Sequence, residues 1–157
     1  GWFVPDAREA LVWTADRITQ ENRAWLLNLP KVHRETILGR EVQLVHGSPQ
    51  DPLYQYVMPD TPPDTLRSYL NTTKADILVT GHTHLPFVAS FGKRLFINAG
   101  SVGQPRDGDP RACYVAVKMK TLKAEIVRVE YNIEGVATKI RKSNLPDALA
   151  DRLFQGV

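Results

Sequence analysis

The chain has 157 residues, 43% hydrophobic and 24% charged, the balance of a soluble globular protein long enough for one core. Its 20 basic and 17 acidic residues are scattered and leave a net charge of +3, which argues against nucleic acid or an anionic membrane as the main partner. No apolar run approaches the roughly 20 residues of a membrane span, no secretory leader pattern is visible, and a single cysteine, Cys113, excludes an internal disulfide framework; a cytoplasmic protein is expected.

The first thirty residues predict two helices. Asp6 and Glu9 make a capping-box pattern for the first, and Leu11, Ala15 and Ile18 share one face of it. The second starts at Thr19, buries Trp25, Leu26 and Leu29, and stops before Pro30. "EVQLVHG" (41–47) reads as a short strand ending in His46-Gly47. A proline-bearing loop, "SPQDPLYQYVMPD", follows it. In "TPPD", Thr61 caps a third helix with Asp64 three residues later, and Leu66, Tyr69 and Leu70 form its buried face. Ile77 to Thr80 is a strand. "FVASF" and "RLFINAG" form a hairpin across Gly92-Lys93. The loop "GSVGQPRDGDPRA" (100–112) is too rich in Gly, Pro and Asp for helix or strand. "CYVAVKM" and "KAEIVRVEY" make a second hairpin around Lys120-Thr121, and helices from about Asn132 to Lys142 and Pro146 to Phe154 close the chain. The expected fold is one α/β domain over residues 1–157.

Two strands end alike, in "LVHG" (44–47) and "LVTGHTH" (78–84). Ligands of open α/β sheets collect beyond the carboxyl ends of the strands. In extended chain, positions i and i+2 project to one side, so His82 and His84 are expected to face a common site while Thr83 faces away. Imidazole is a neutral metal ligand near physiological pH. His46, His82 and His84 are therefore the candidate metal ligands, with Gly47 and Gly81 allowing sharp turns or close approach. His33, in "KVHRE", has no such context and is expected to be an ordinary surface residue.

Taken in order, "LVHGSP", "LVTGHTHLPF" and "FINAGSVGQPRDGDPRACYVAV" resemble the C-terminal half of the calcineurin-like metallophosphoesterases, in their compact bacterial and archaeal phosphodiesterase branch. The resemblance implies part of a four-layered α/β/β/α sandwich with a two-metal centre, at which a metal-activated hydroxide hydrolyses small phosphate esters. It implies that His46 and His82 hold one cation and His84 the other. Manganese is the divalent ion the resemblance favours, with iron, zinc and cobalt also compatible with nitrogen and carboxylate ligands. The family's Asp-x-His and Gly-Asn-His-Asp patterns, which supply the carboxylates and the leaving-group histidine, do not occur in this sequence, and no catalytic acid is assigned. The expectation is a C-terminal portion of an enzyme, with a non-catalytic binding module as the alternative. Strands at 42–46 and 77–81 would then expose unpaired edges, a reason for possible homo-oligomerisation.

Within loop 98–111, Asn98, Gly100 and Ser101 could turn N–H groups or a hydroxyl towards phosphate, and Arg106 could bind a substrate oxygen bidentately. The competing expectation is a simple chain reversal with Arg106 and Arg111 paired to Asp107 or Asp109. "DGD" lacks the later acid of a calcium loop. Cys113, Trp13 and Trp25 are expected in the core. Tyr54, Tyr56 and Met58, just past His46, could stack on a base or aryl group or pack onto their own domain.

Overall fold

The structure, a computed structural model, describes residues 5–157; Trp2 lies outside the described residues. Five helices, α1 (Pro5–Arg17), α2 (Gln20–Leu27), α3 (Pro63–Thr73), α4 (Ile133–Lys142) and α5 (Ala148–Gln155), accompany seven strands. These are β1 (Val32–Ile37), β2 (Arg40–Val45), β3 (Ile77–Thr80), β4 (Phe87–Ser90), β5 (Leu95–Asn98), β6 (Ala112–Lys118) and β7 (Lys123–Val129). The first five strands form a mixed sheet in the order β1-β2-β3-β5-β4, and β6 and β7 form a second, two-stranded antiparallel sheet.

The three central strands β2, β3 and β5 run parallel, so their carboxyl ends share one rim of the sheet. On one face α3 buries Leu66, Tyr69 and Leu70 against Val45, Leu78 and Phe96. On the other, Val42, Ile77, Leu95 and Ile97 meet Val115, Val117 and Ala124 of the second sheet. Helix, sheet and sheet therefore stack in the mixed α/β layering expected. At the C-terminus α4 and α5 lie together with Ala137, Leu149, Ala150 and Leu153 buried.

Several expectations are corrected. The strands at 42–46 and 77–81 have no free edges: β1, unrecognised in the sequence, pairs with β2, while β3 is flanked by β2 and β5. Its signal was the left-handed pair Leu38-Gly39, with φ of 49° and 75°, which closes a tight hairpin. The incompletely covered surface lies elsewhere. A two-stranded sheet is too narrow to cover a five-stranded one, and Leu44, on the same side of β2 as Val42, remains 40% exposed.

Helix α2 is capped as expected, with Thr19 accepting from the Asn22 N–H, but it buries nothing: Trp25 is 63% exposed and Leu26 and Leu29 are also open. The 3.6-residue pattern correctly gave an apolar face and could not supply a layer to cover it. Asp6 lies in the first turn of α1 rather than capping it, and the N-cap of α3 is Pro62 rather than Thr61. Cys113 is a buried free cysteine, as expected, with its thiol pKa pushed up chiefly by burial.

Gly100 has φ +72°, and a Cβ there would lie 2.9 Å from Cys113 Sγ and 3.0 Å from Pro86 Cβ. Gly100→Ala is expected to cost about 1–3 kcal/mol through left-handed strain and overlap together. Gly92→Ala, at φ +65° with no atom within 4 Å, should lower the melting temperature less. Thermal melts of the two variants side by side check this, and equal losses would remove the overlap from the account.

Candidate metal centre

Each candidate ligand sits just past a central strand. Hydrogen bonding continues beyond the ends of β2 and β3, where the Gly81 N–H donates to the His46 carbonyl at 3.0 Å. This bond holds His46 beside the start of the GHTH turn. The turn itself is not extended chain. His82 and His84 have φ of 66° and 62°, in the left-handed region, so their side chains are set by a curled backbone rather than by strand alternation. Two non-glycine residues in that region cost on the order of 1 kcal/mol or more each. The sharp turning expected of Gly81 is thus done by the histidines: a Cβ on Gly81 would meet only ordinary contacts at 3.7 Å and beyond. Gly47 does serve close approach, since a Cβ there would lie 2.6 Å from the Asp51 carbonyl oxygen.

His46 Nε2 and His82 Nδ1 lie 2.9 Å apart. The other ring nitrogen of His82 is 3.2 Å from the Tyr54 carbonyl oxygen, an acceptor that fixes the proton on Nε2 and leaves Nδ1 with a lone pair. His84 Nδ1 is 2.7 Å from the Gln104 carbonyl, which likewise places a proton there and frees Nε2. A backbone carbonyl behind each ring is the arrangement that orients histidine ligands. Burial lowers the pKa of His46, with His82 second as a cause, although part of the His46 residue is open to solvent. Burial also lowers that of His84, followed by the Arg106 charge. Both effects favour the neutral imidazole that a cation requires.

The loop behind His82 is built from its own side chains. Ser48, fully buried, accepts from the Gln50 and Asp51 N–H groups and bonds Gln55, while Asp51 Oδ1 accepts from Leu53 and Tyr54. This fixes the Tyr54 carbonyl and sets the Tyr56 ring on that of His82, with centroids 4.1 Å apart and planes 8° from parallel. The expectation that loop aromatics pack on their own domain therefore holds for Tyr56. Ser48 and Asp51 were missed in the sequence. "SPQD" after a strand is a turn signal, but not one that names its destination.

Asn98, expected to face phosphate, is fully enclosed instead. Its amide donates to the Gly81 carbonyl at 2.8 Å and to Thr83 Oγ1 at 2.9 Å, and its oxygen accepts from the Gly100 N–H at 3.0 Å, so no polar atom of Asn98 is left to face a ligand. Ser101 Oγ accepts from the Gln104 N–H at 2.9 Å and is half-buried. Arg111 pairs with Asp109, holding that carboxyl well below the usual range, and Arg128 binds Asp107. Arg106 is exposed and makes no ion pair among the described residues, while its N–H donates to the His84 carbonyl at 3.3 Å. His33, opposite Leu44 in the β1–β2 pairing, lies 3.7 Å from Glu35 at the surface.

The spacing of the first pair fits a cation. The 2.9 Å between His46 Nε2 and His82 Nδ1 is close enough that both nitrogens could serve one cation, each at about 2 Å. Without a cation, the same spacing suits a hydrogen bond from His46 Nε2–H to His82 Nδ1. Among the described residues no group of three His, Cys, Asp or Glu could by itself hold a metal ion. The cluster thus offers adjacent neutral donors and no carboxylate. No helix among the described residues is long and apolar enough to cross a membrane.

A family model, the calcineurin-like phosphoesterase superfamily domain, matches residues 14–122. The chain is 38% identical, over 94% of its length, to an uncharacterized protein of Methanocaldococcus jannaschii, of which it covers 65%. It is 30% identical, over 68% of its length, to a probable metallophosphoesterase of Methanothermobacter thermautotrophicus, of which it covers 58%. It thus spans less than two thirds of either curated relative. Among solved structures, a metallophosphoesterase from Sphaerobacter thermophilus superposes with a TM-score of 0.78 at 32% identity, covering 99% of this chain and 69% of that one. A hypothetical protein from Pyrococcus horikoshii shares the fold, with a TM-score of 0.82 at 24% identity over 90% of this chain and 57% of the other.

Proposed function

The chain belongs to the calcineurin-like phosphoesterase superfamily, and we propose that it contributes His46, His82 and His84 to a divalent-cation centre that hydrolyses small phosphate esters. The observation that carries this is the pair of ring nitrogens 2.9 Å apart, with the outer nitrogen of His82 fixed by a backbone carbonyl. A chain needing only a histidine hydrogen bond would not require both strained backbone positions or a second histidine oriented in the same way at Gln104. In this reading His46 and His82 hold one cation, and His84, through its free Nε2, holds the other.

When bound, a pair of cations supplies Lewis-acid polarisation of phosphoryl oxygens and an activated water nucleophile. The chain's own residues do the rest of what is proposed here. Arg106, exposed beside His84 and free of carboxylate partners among the described residues, offers planar N–H donors to an equatorial phosphate oxygen, where charge spreads in the transition state. The Ser101 hydroxyl, already accepting from Gln104, retains one donor for the same anion. Tyr54 and Tyr56, both exposed beside His82, offer apolar surface to a leaving group. The carboxylates that neutralise and bridge two cations would come from length the relatives possess beyond what this chain covers. Manganese is proposed first, then iron, zinc or cobalt.

The test is hydrolysis of bis-p-nitrophenyl phosphate and p-nitrophenyl phosphate by the full-length protein with each of the four ions. Hydrolysis that appears with manganese and disappears with a chelator is expected. Saturable cation binding without turnover of either ester under any ion would replace the enzyme with a binding module.

A further inference from the structure

We propose that Thr83 and Asn98 are a positioning pair that holds the His82–His84 turn in its cation-binding shape, a role that rests on these histidines being ligands. Thr83 is 4% exposed and lies between two residues in left-handed conformation, each of which leaves its imidazole half-open. The sequence gives no reason to bury a hydroxyl there. The structure does: Thr83 Oγ1 accepts from Asn98 Nδ2 at 2.9 Å and from the Leu85 N–H at 3.2 Å. Asn98 sends its second amide hydrogen to the Gly81 carbonyl at 2.8 Å. One planar amide therefore grips the residue before His82 and the residue between the two histidines.

The grip comes from a firm base. Thr80 and Asn98 are register partners at the ends of β3 and β5, and the Asn98 oxygen is itself held by the Gly100 N–H. Because both side chains are enclosed, water cannot take over a lost bond. Removal of the Thr83 hydroxyl leaves a buried Asn98 N–H without its acceptor and frees the segment to relax towards ordinary φ. Such relaxation would move His82 Nδ1 away from His46 Nε2. Neither side chain touches the cation in this scheme; both act through the histidines.

Cobalt(II) titration of the metal-free full-length protein, followed by its visible absorption, tests the pair against a merely structural role. Thr83→Val keeps the branched shape and loses the hydroxyl, while Thr83→Ser keeps the hydroxyl. Thr83→Val is expected to bind cobalt about 10–100-fold more weakly with an altered spectrum, and Thr83→Ser to restore the wild-type spectrum and affinity. Unchanged cobalt binding by folded Thr83→Val overturns the positioning role alone. A wild-type protein that binds no cobalt overturns the ligand reading, and this role with it. Should Thr83→Val not fold, the wild-type protein still decides: the Asn98 amide protons are expected to exchange slowly and to shift on zinc addition, and exchange at the rate of a free asparagine would overturn the clamp.

Discussion

His82→Ala in the full-length protein is expected to lower manganese-dependent hydrolysis of bis-p-nitrophenyl phosphate by more than about a hundredfold, because even the groups behind a ligand cost about 10–100-fold when removed. The expectation follows from three separate roles of one ring. Its Nδ1 faces His46 Nε2 at 2.9 Å, its Nε2 is 3.2 Å from the Tyr54 carbonyl, and its face lies on Tyr56. Alanine deletes the donor and leaves His46 without a partner. It also removes the stacking surface beneath an otherwise exposed tyrosine. The fold should tolerate this, since alanine adds no bulk to a rim position. His33→Ala is the control. That residue is exposed on β1, 3.7 Å from Glu35, and its loss should leave hydrolysis within about twofold. Calorimetric titration with manganese separates lost binding from lost turnover. A His82→Ala protein with wild-type cation affinity would remove His82 from the ligand set.

Phe96→Ala is the change expected to damage stability most, by about 3–5 kcal/mol. Phe96 is fully buried on the α3 side of β5, with the Phe87 ring stacked on it at 5.8 Å and Tyr69 at 6.3 Å. Strand β5 lies inside the sheet between β3 and β4, so the void cannot be closed by moving an edge strand. For a chain of this size each kcal/mol lowers the melting point by about 2–4 °C, and a fall of about 10 °C is expected in calorimetry. Leu44→Ala, on the sheet surface left partly open, should cost far less. Similar losses from both would show that the opposite face of the sheet is covered in solution.

Much of the fold was legible because its signals are local. Ile77–Thr80, the hairpin across Gly92-Lys93, the hairpin of β6 and β7, and the C-terminal helices follow from apolar runs and turn residues. What escaped depends on distant partners. Trp25 has a core residue's chemistry and a helix face to match, yet burial requires a second surface that periodicity cannot name. Strand β1, "VHRETI", is almost wholly exposed, and a solvated strand has little apolar pattern to show. At the candidate site the histidines announced themselves by spacing. The shape of their turn did not, since the left-handed backbone at His82 and His84 is tied down through a threonine and an asparagine fifteen residues apart. Asn98 looked like a ligand group because it ends a strand at the functional rim. Only its complete enclosure shows that its hydrogen bonds are directed inward.

The parallel pairing of β2 with β3 also governs the order in which this molecule can assemble. Hairpins β1–β2, β4–β5 and β6–β7 join neighbours in sequence and can close within microseconds. Bringing His46 beside His82 means closing 36 residues of chain, helix α3 included, before any strand contact rewards the lost entropy. With that closure cost the two imidazoles come together late, after the local hairpins. A cation held as proposed would enter only after the long crossover has formed, and would from then on draw the equilibrium towards the native state by mass action.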